Sequence, residues 1–193
     1  ALAMLLPETS DTEFSAERFV EIIDSDMNNN IGNFAHRTLS FAKSVNAAMP
    51  GSFGGKSAEL RENIDRLIAA YEEHFMHVQI REALHDVLEM SMLGNAYISA
   101  MEPWKLNGGA EKGLLNEIVY TALDVVFKIG ILLYPFTPRS SAKLLEIFDY
   151  MEEPSLERAK KGIGAEAHIN KSLIKPIFSK LTEDQIRRLY TFK

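Results

Sequence analysis

The sequence predicts an all-α protein, a bundle of five to six helices followed by an irregular C-terminal tail. Apolar residues recur at three- and four-residue spacing over most of the 193 positions, and no stretch alternates apolar and polar residues as a half-buried strand does. Prolines and glycines fall between the periodic segments, where turns are needed. With 46% hydrophobic residues, the chain is long enough to bury a substantial core in one domain.

The first half of the chain predicts three helices. Ser15 is typical of an N-cap and opens a short helix to about Asp24, and a second helix follows over residues 26–48. The break over residues 50–55 contains Pro50 and three glycines. Ser57 is predicted to cap the third helix, which carries an apolar stripe at helical spacing: Leu60, Ile64, Leu67, Ile68 and Tyr71.

The second half predicts three more helices and the tail. A helix over residues 78–100 ends before Pro103, since proline disfavours α geometry in the preceding residue. The most apolar helix, residues 114–134, is expected at the centre of the bundle, and a sixth helix covers residues 139–150. We therefore predict a bundle domain over residues 1–150 and a tail over residues 151–193, with a short closing helix near residues 183–190.

Composition excludes several classes of protein. The absence of cysteine rules out disulfide scaffolds and thiolate sites, and it fits a cytoplasmic protein. The longest apolar run, residues 129–134, is too short to span a membrane, and the first residues do not resemble a signal peptide. Residues 1–30 hold seven acidic side chains and one basic, so the rest sums to zero, with 20 of each sign. A chain without a basic field is not expected to bind DNA or other phosphate backbones non-specifically.

No catalytic or metal-binding motif emerges from the polar residues. The stretch GSFGGKS, residues 51–57, is one residue shorter than a phosphate-binding P-loop, and no strand is predicted before it. One Glu-x-x-His unit, Glu82 to His85, lies near Glu73, His74 and His77, whereas a di-metal bundle needs two such units. We therefore predict a plain loop at residues 51–57, no catalytic residue and no metal site.

Two features indicate a binding surface instead. Asn29, Asn33 and Arg37 are spaced to share one face of a helix, where amides and a guanidinium suit the hydrogen-bonding edges of bases; alternatively, such a face satisfies nearby loop backbones. Trp104, the only tryptophan, follows Pro103 directly at a helix end. It is either a core residue or, at the rim, a platform on which an unpaired base stacks.

The segments that contain these residues resemble a known protein family. The segments DMNNNIGNFAHRTLSF and NAYISAMEPWKL, with the helix YPFTPRSSAKLLEIF and the tail GIGAEAHINKSLIKPIFSKL, resemble the anticodon-binding domain of methionyl-tRNA synthetases. The resemblance covers most of the chain, implies the helical-bundle fold of class I synthetases, and in its tail is similar to archaeal and eukaryotic members. It implies that Trp104 stacks on unpaired anticodon bases, that Asn33 and Arg37 contact the first base of a CAU anticodon, and that Asn29 and Pro103 support them.

The resemblance also implies partners and cofactors. The partners expected are the anticodon loop of methionine tRNA and a catalytic domain of the same polypeptide, on which the tail packs if it does not pack on the bundle. The HIGH and KMSKS signatures do not occur, so this chain is expected to be inactive alone and to bind no cofactor, while ATP with Mg serves the full-length enzyme. The alternatives are the same domain from another class I synthetase and a helical interaction module without an RNA role.

Overall fold

The computed structural model describes residues 2–5, 14–106, 109, 111–165 and 168–191. Within these ranges the fold is all-α, as predicted, and the only β-type pairing is a single bridge at Ala48. The α-helices are α1 (Leu2–Leu5), α2 (Ala16–Ile22), α3 (Asn33–Ala42), α4 (Gly55–Met76), α5 (Ile80–Met101), α6 (Lys112–Leu132), α7 (Pro138–Glu146), α8 (Leu156–Lys161) and α9 (Glu183–Thr191). Short 3-10 turns lie at Pro103–Lys105 and Lys171–Leu173.

A π-helical segment, Ile23–Gly32, joins α2 to α3 without a break. The sequence predicted two separate helices here, the second reaching residue 48, but one continuous helical rod runs from Ala16 and ends at Ala42. In the π geometry the backbone N–H of Asn33 donates to the carbonyl of Asn28, five residues earlier. Residues five apart therefore align along this segment, rather than the four apart that α-helical periodicity assumes.

Helix α6 forms the centre of the bundle, as its apolar sequence predicted. Every residue from Ile118 to Leu133 is buried, including the ionisable Asp124 and Lys128. Helices α3, α4, α5, α7 and α8 pack around it. An α-helix that is apolar on all sides needs neighbours on all sides, and this requirement sets the architecture.

Helices α3 and α5 run parallel and approach closely at Gly94. A Cβ atom added to Gly94 would stand 2.3 Å from the ring of Phe34, which is itself fully buried. No side chain larger than a hydrogen atom fits between the two helices at this level. The pairing of residue 94 with residue 34 therefore fixes the register of the two helices.

Asp124 connects the C-terminal segment to the bundle. Its carboxylate accepts a hydrogen bond from the backbone N–H of Ile163 at 2.9 Å and lies 3.2 Å from the Lys128 ammonium and 3.3 Å from the Arg61 guanidinium. Gly162 has a φ of 72°, and a Cβ there would collide with the same carboxylate. A buried carboxylate with these partners is satisfied, and it holds the chain after α8 against α6.

The predicted cap at Ser57 is wrong. Gly54 occupies the N-cap position of α4, and Ser57 lies inside the first turn. Its buried hydroxyl is 2.8 Å from the hydroxyl of Tyr97, so it links α4 to α5 rather than capping a helix.

A partly exposed ion pair joins the C-terminal end of α4 to α5. The Nδ1 atom of His74 lies 2.7 Å from a carboxylate oxygen of Asp86. This hydrogen bond raises the pKa of His74 above its ordinary value. Burial raises the pKa of Asp86 as well, and His74 offsets part of that shift.

We predict that Gly94→Ala lowers the free energy of unfolding by about 1–3 kcal/mol, because the new methyl group overpacks the Phe34 contact. Urea denaturation followed by circular dichroism measures the loss. Gly113→Ala is the matched control: it lies in α6 with nothing within 4 Å of its Cβ position, so it should leave stability unchanged or slightly raised. A Gly94→Ala variant as stable as the parent chain would contradict the close packing of α3 on α5.

We predict that Asp86→Asn lowers the pKa of His74 toward about 6.5, as followed by NMR titration of the histidine ring. A folded-state pKa above the unfolded value means that protonated His74 stabilises the fold at low pH. This contribution is complete below the unfolded pKa and is lost as the pH rises through the folded-state pKa.

The parent chain should therefore lose more stability than Asp86→Asn as the pH rises from about 6.5 through the raised folded-state pKa of His74. His85→Ala, at an exposed neighbouring position, serves as the control and should retain the raised pKa of His74. An unchanged His74 titration in Asp86→Asn would rule out the ion pair as its cause.

Candidate RNA-binding site

A row of side-chain pairs runs along the seam between the rod and α5. Asn30 pairs with Ser91, Asn33 with Asn95, Arg37 with Ser99 and Phe41 with Trp104. On the rod and on α5 the paired residues recur about one turn apart. Residue numbers increase in the same direction along the two elements, as parallel packing requires. The row begins with partly buried hydrogen bonds at Asn30 and ends at the exposed ring of Trp104.

Trp104 lies at the rim of the bundle. Its side chain is 50% exposed, and its ring stacks on Phe41 with centroids 6.2 Å apart and an interplanar angle of 23°. The core interpretation of Trp104 is therefore wrong. One part of the indole is held by protein, while the remaining surface is open to a planar ligand.

The turn before Trp104 positions the indole. Glu102 ends α5 in the left-handed conformation with φ 45°, which is uncommon for a residue with a side chain. Pro103 is buried and starts a 3-10 turn, and the ammonium of Lys105 closes over Glu102 at 2.8 Å. Left-handed geometry costs a non-glycine residue about 1–2 kcal/mol, so surrounding contacts hold this turn in place. The helix stop predicted at Pro103 is confirmed.

Arg37 lies between the polar and aromatic parts of the row. Its guanidinium carbon is 5.8 Å from the centre of the Trp104 ring, and one terminal nitrogen is 3.5 Å from the Ser99 hydroxyl. A planar guanidinium has five donors, and this long contact uses only one of them. The remaining N–H groups can therefore donate to a ligand that stacks on Trp104.

The four asparagines of the NNNIGN stretch separate into different environments. The Asn30 amide donates to the Leu88 carbonyl at 3.1 Å and accepts from the buried Ser91 hydroxyl at 2.6 Å, so it ties the rod to α5. Asn28 donates to the carbonyl of Ile23, five residues earlier. Asn29 is exposed, and its side chain has no hydrogen-bond partner among the described residues.

A groove of about 370 Å³ opens beside the π-helical segment. Its lining residues come from the rod and from the tail: Asn28, Asn29, Gly32, Asn33, His36, Pro176, Ile177 and Phe178. Asn28 joins Asn29 and Asn33 there because the π geometry aligns residues five apart. We call this surface the tail groove.

The loop at residues 51–54 lacks the chemistry of a phosphate site. The backbone N–H of Gly54 donates to the Glu117 carboxylate at 2.8 Å, so a negative charge stands where a phosphate would have to bind. The histidines and acids of α4 and α5 form no cluster that could hold a metal ion within the described part of the chain.

Comparisons with known proteins decide the family. Residues 48–191 match the model of the anticodon binding domain of methionyl tRNA ligase, and residues 1–39 match that of class I tRNA synthetases of the methionine type. The chain belongs to the methionyl-tRNA ligase family. It is similar to a probable cytoplasmic methionine–tRNA ligase of Vairimorpha ceranae, with 35% identity over 199 residues that cover 100% of this chain and 33% of that protein. It is also similar to a methionine–tRNA ligase of Ignicoccus hospitalis, with 33% identity over 98% of this chain and 33% of that protein.

Solved structures agree with the family's fold. The methionyl-tRNA synthetase of Mycobacterium tuberculosis in its free state aligns with a TM-score of 0.84 at 24% identity, over 94% of this chain and 38% of that one. The match of residues 48–191 identifies the chain as an anticodon-binding domain of the methionyl-tRNA ligase type, so the alternative of another class I synthetase is wrong. The chain spans about a third of the length of the relatives. No helix among the described residues is long and apolar enough to cross a membrane.

Some residues of the site escaped the sequence prediction. Phe41, which is partly buried against the core, follows Arg37 by one turn and supports Trp104 at the rim. Asn95, the partner of Asn33, precedes Ser99 by one turn on α5. The same four-residue spacing that selected Arg37 could have found both. Phe178 carries no comparable signal, because it reaches the groove only through the path of the tail.

We predict that Asn30→Ala lowers the free energy of unfolding by about 1–3 kcal/mol, because it leaves the buried Ser91 hydroxyl without its acceptor and removes the amide bond to the Leu88 carbonyl. Asn29→Ala is the matched control, one residue away and exposed, and should change stability by less than about 0.5 kcal/mol. Chemical denaturation of the three proteins measures the difference. Equal losses for the two variants would show that Asn30 does not hold the rod to α5.

Proposed function

We propose that this domain recognises the CAU anticodon of methionine tRNA. In this proposal the first anticodon base stacks on Trp104, Arg37 and Asn33 donate to or accept from its edge, and Asn29 and Pro103 support the contact. Sequence-specific recognition of RNA targets unpaired loop bases by stacking and by edge hydrogen bonds. The chemistry of these side chains matches that requirement.

The exposed, Phe41-backed ring of Trp104 beside Arg37 is the observation that carries the proposal. An indole that is already stacked on one aromatic neighbour is held rigidly and loses little freedom when a base covers its open surface. The guanidinium of Arg37 lies 5.8 Å from the ring centre, so its unused donors are close to a base that stacks on the indole. A cytosine offers an acceptor oxygen and nitrogen on its unpaired edge, so a guanidinium beside the stack supports discrimination at this base.

The charge distribution supports recognition through bases rather than through phosphates. The chain has a formal charge of −6, and the acidic excess lies within residues 1–30, which include much of the rod. A surface of this kind repels a phosphate backbone unless local contacts outweigh the repulsion. We therefore expect that loss of a single stacking or edge contact has a large effect on binding.

We further propose that the domain acts within a longer methionine–tRNA ligase, which joins methionine to its tRNA at the expense of ATP with Mg²⁺. The match of residues 1–39 to the class I synthetase model supports continuity with a catalytic domain of the same polypeptide. Since the HIGH and KMSKS signatures do not occur in the sequence, we expect this chain alone to be inactive in methionine-dependent ATP–pyrophosphate exchange. The cytoplasmic name of the Vairimorpha ceranae relative supports the expected location.

We predict that Trp104→Ala and Arg37→Ala each weaken binding of a CAU anticodon stem-loop by about 1–3 kcal/mol, because a stacking surface or an edge contact is lost. Polarisation of a labelled RNA measures the affinity, and circular dichroism should show an unchanged fold. Arg66→Ala and Tyr134→Ala, exposed side chains away from the site, should bind as the parent chain does.

Trp104 also reports directly on the site, since it is the only tryptophan. A CAU stem-loop should quench its emission, and the same RNA with a changed first anticodon base should quench it far less. Equal responses to the two RNAs, or none to either, would contradict the assignment of the first base to Trp104.

A further inference from the structure

We infer that Glu102 and Lys105 are positioning residues for anticodon recognition: their ion pair closes the turn that carries Trp104 and holds the indole in the orientation on which a base stacks. The inference rests on the proposed function, since it takes the anticodon base as the ligand of Trp104. It goes beyond that function because it gives a part in recognition to two side chains that act through the indole.

Glu102 holds Lys105 through its backbone and through its side chain. Its carbonyl accepts a hydrogen bond from the Lys105 N–H at 2.8 Å, and its two carboxylate oxygens lie 2.8 and 2.9 Å from the Lys105 ammonium. Pro103 and Trp104 are the two residues between these connections. Because the ring of Pro103 fixes its own φ angle, the freedom that remains within the turn lies mainly at Trp104 and Lys105, where the ion pair acts.

The backbone of Glu102 indicates that a side chain is needed at this position. Its φ of 45° and ψ of 53° lie in the left-handed region, which glycine adopts freely and other residues adopt at a cost. Helices commonly end with glycine in this conformation. A strained residue persists where the surrounding structure holds it, and the carboxylate of Glu102 makes a contact with Lys105 that glycine cannot make.

The ion pair matters more for the direction of the turn than for the stability of the fold. The side chains of Glu102 and Lys105 are 43% and 65% exposed, and exposed pairs add little stability because water screens the charges. Trp104 is restrained at two points, by the closed turn at its backbone and by Phe41 at one face of its ring. A ring restrained in this way loses less freedom when a base stacks on it.

The test measures binding of a CAU anticodon stem-loop to the 193-residue chain. Glu102→Ala and Lys105→Ala should each weaken binding about 2- to 5-fold, because either change removes the ion pair. Exchange of the two charges, Glu102→Lys with Lys105→Glu, should return the affinity to within about 2-fold of the parent chain. Glu62→Ala is the matched control: it also removes one negative charge and an exposed ion pair, with Arg66 on α4, and should bind normally.

Glu102→Gly separates positioning from stability. Glycine relieves the left-handed backbone, so the urea midpoint of this variant should equal or exceed that of the parent chain. It lacks the carboxylate, however, and should bind the RNA as weakly as Glu102→Ala does. In the free chain the emission anisotropy of Trp104, the only tryptophan, should be lower in both variants than in the parent, because the indole gains freedom.

A direct contact between Lys105 and an RNA phosphate predicts a different pattern. Glu102→Ala would then free the ammonium and bind the RNA as tightly as the parent chain or more tightly, and the exchanged charges would restore nothing. Either result would overturn the inference, and so would an unchanged anisotropy in the Glu102 variants. The anisotropy needs no RNA. A parent chain that binds no CAU stem-loop would therefore contradict the proposed function, while the anisotropy would still decide whether the ion pair holds Trp104.

Discussion

The contact between the Phe34 ring and Gly94 is the constraint on which the binding surface depends. It brings α3 and α5 so close that short side chains, asparagine with serine and asparagine with asparagine, meet across the seam. A wider separation would need longer partners or bridging water. Because two parallel helices at fixed distance can shift only by whole turns, the same contact also places Phe41 opposite Trp104. Packing in the core therefore sets the geometry at the rim.

Polar residues along this seam divide between stability and recognition according to burial. Asn30 is saturated by partners on α5, so its amide strengthens the seam and has little left for a ligand. Arg37 is held by one long hydrogen bond and keeps most of its donors. Asn29, without a partner among the described residues, contributes nothing to the seam. Asparagine is a poor helix former. Asn30 compensates for this with its bonds to α5, whereas Asn29 keeps its amide available for a ligand.

The sequence alone predicted the structure of segments in which apolar residues follow one regular helical period. The uniform apolar character of α6 predicted its central position, and Pro103 predicted the end of α5. The π-helical segment could not be predicted, because periodicity arguments assume α geometry, and the i→i+5 turn moves Asn28 onto the side of Asn29 and Asn33. The tail groove could not be predicted from the sequence for a different reason. Its wall comes from residues about 140 positions away, and no local pattern reports where an irregular tail lies.

The path of the tail is set by contacts that lie far from its groove-lining end. Asp124 holds Ile163, the Ile147 carbonyl accepts from Asn170 at 2.7 Å, and Lys171 donates to the Lys43 carbonyl at the end of α3. Each of these bonds ends on the bundle, so the backbone arrives at Phe178 with little freedom. The Phe178 side of the groove is therefore positioned by contacts within the protein itself. A buried ion pair such as Asp124–Lys128 adds little net stability, because burial removes both charges from water. Through its bond to the Ile163 N–H, Asp124 also orients the chain that leads to the groove.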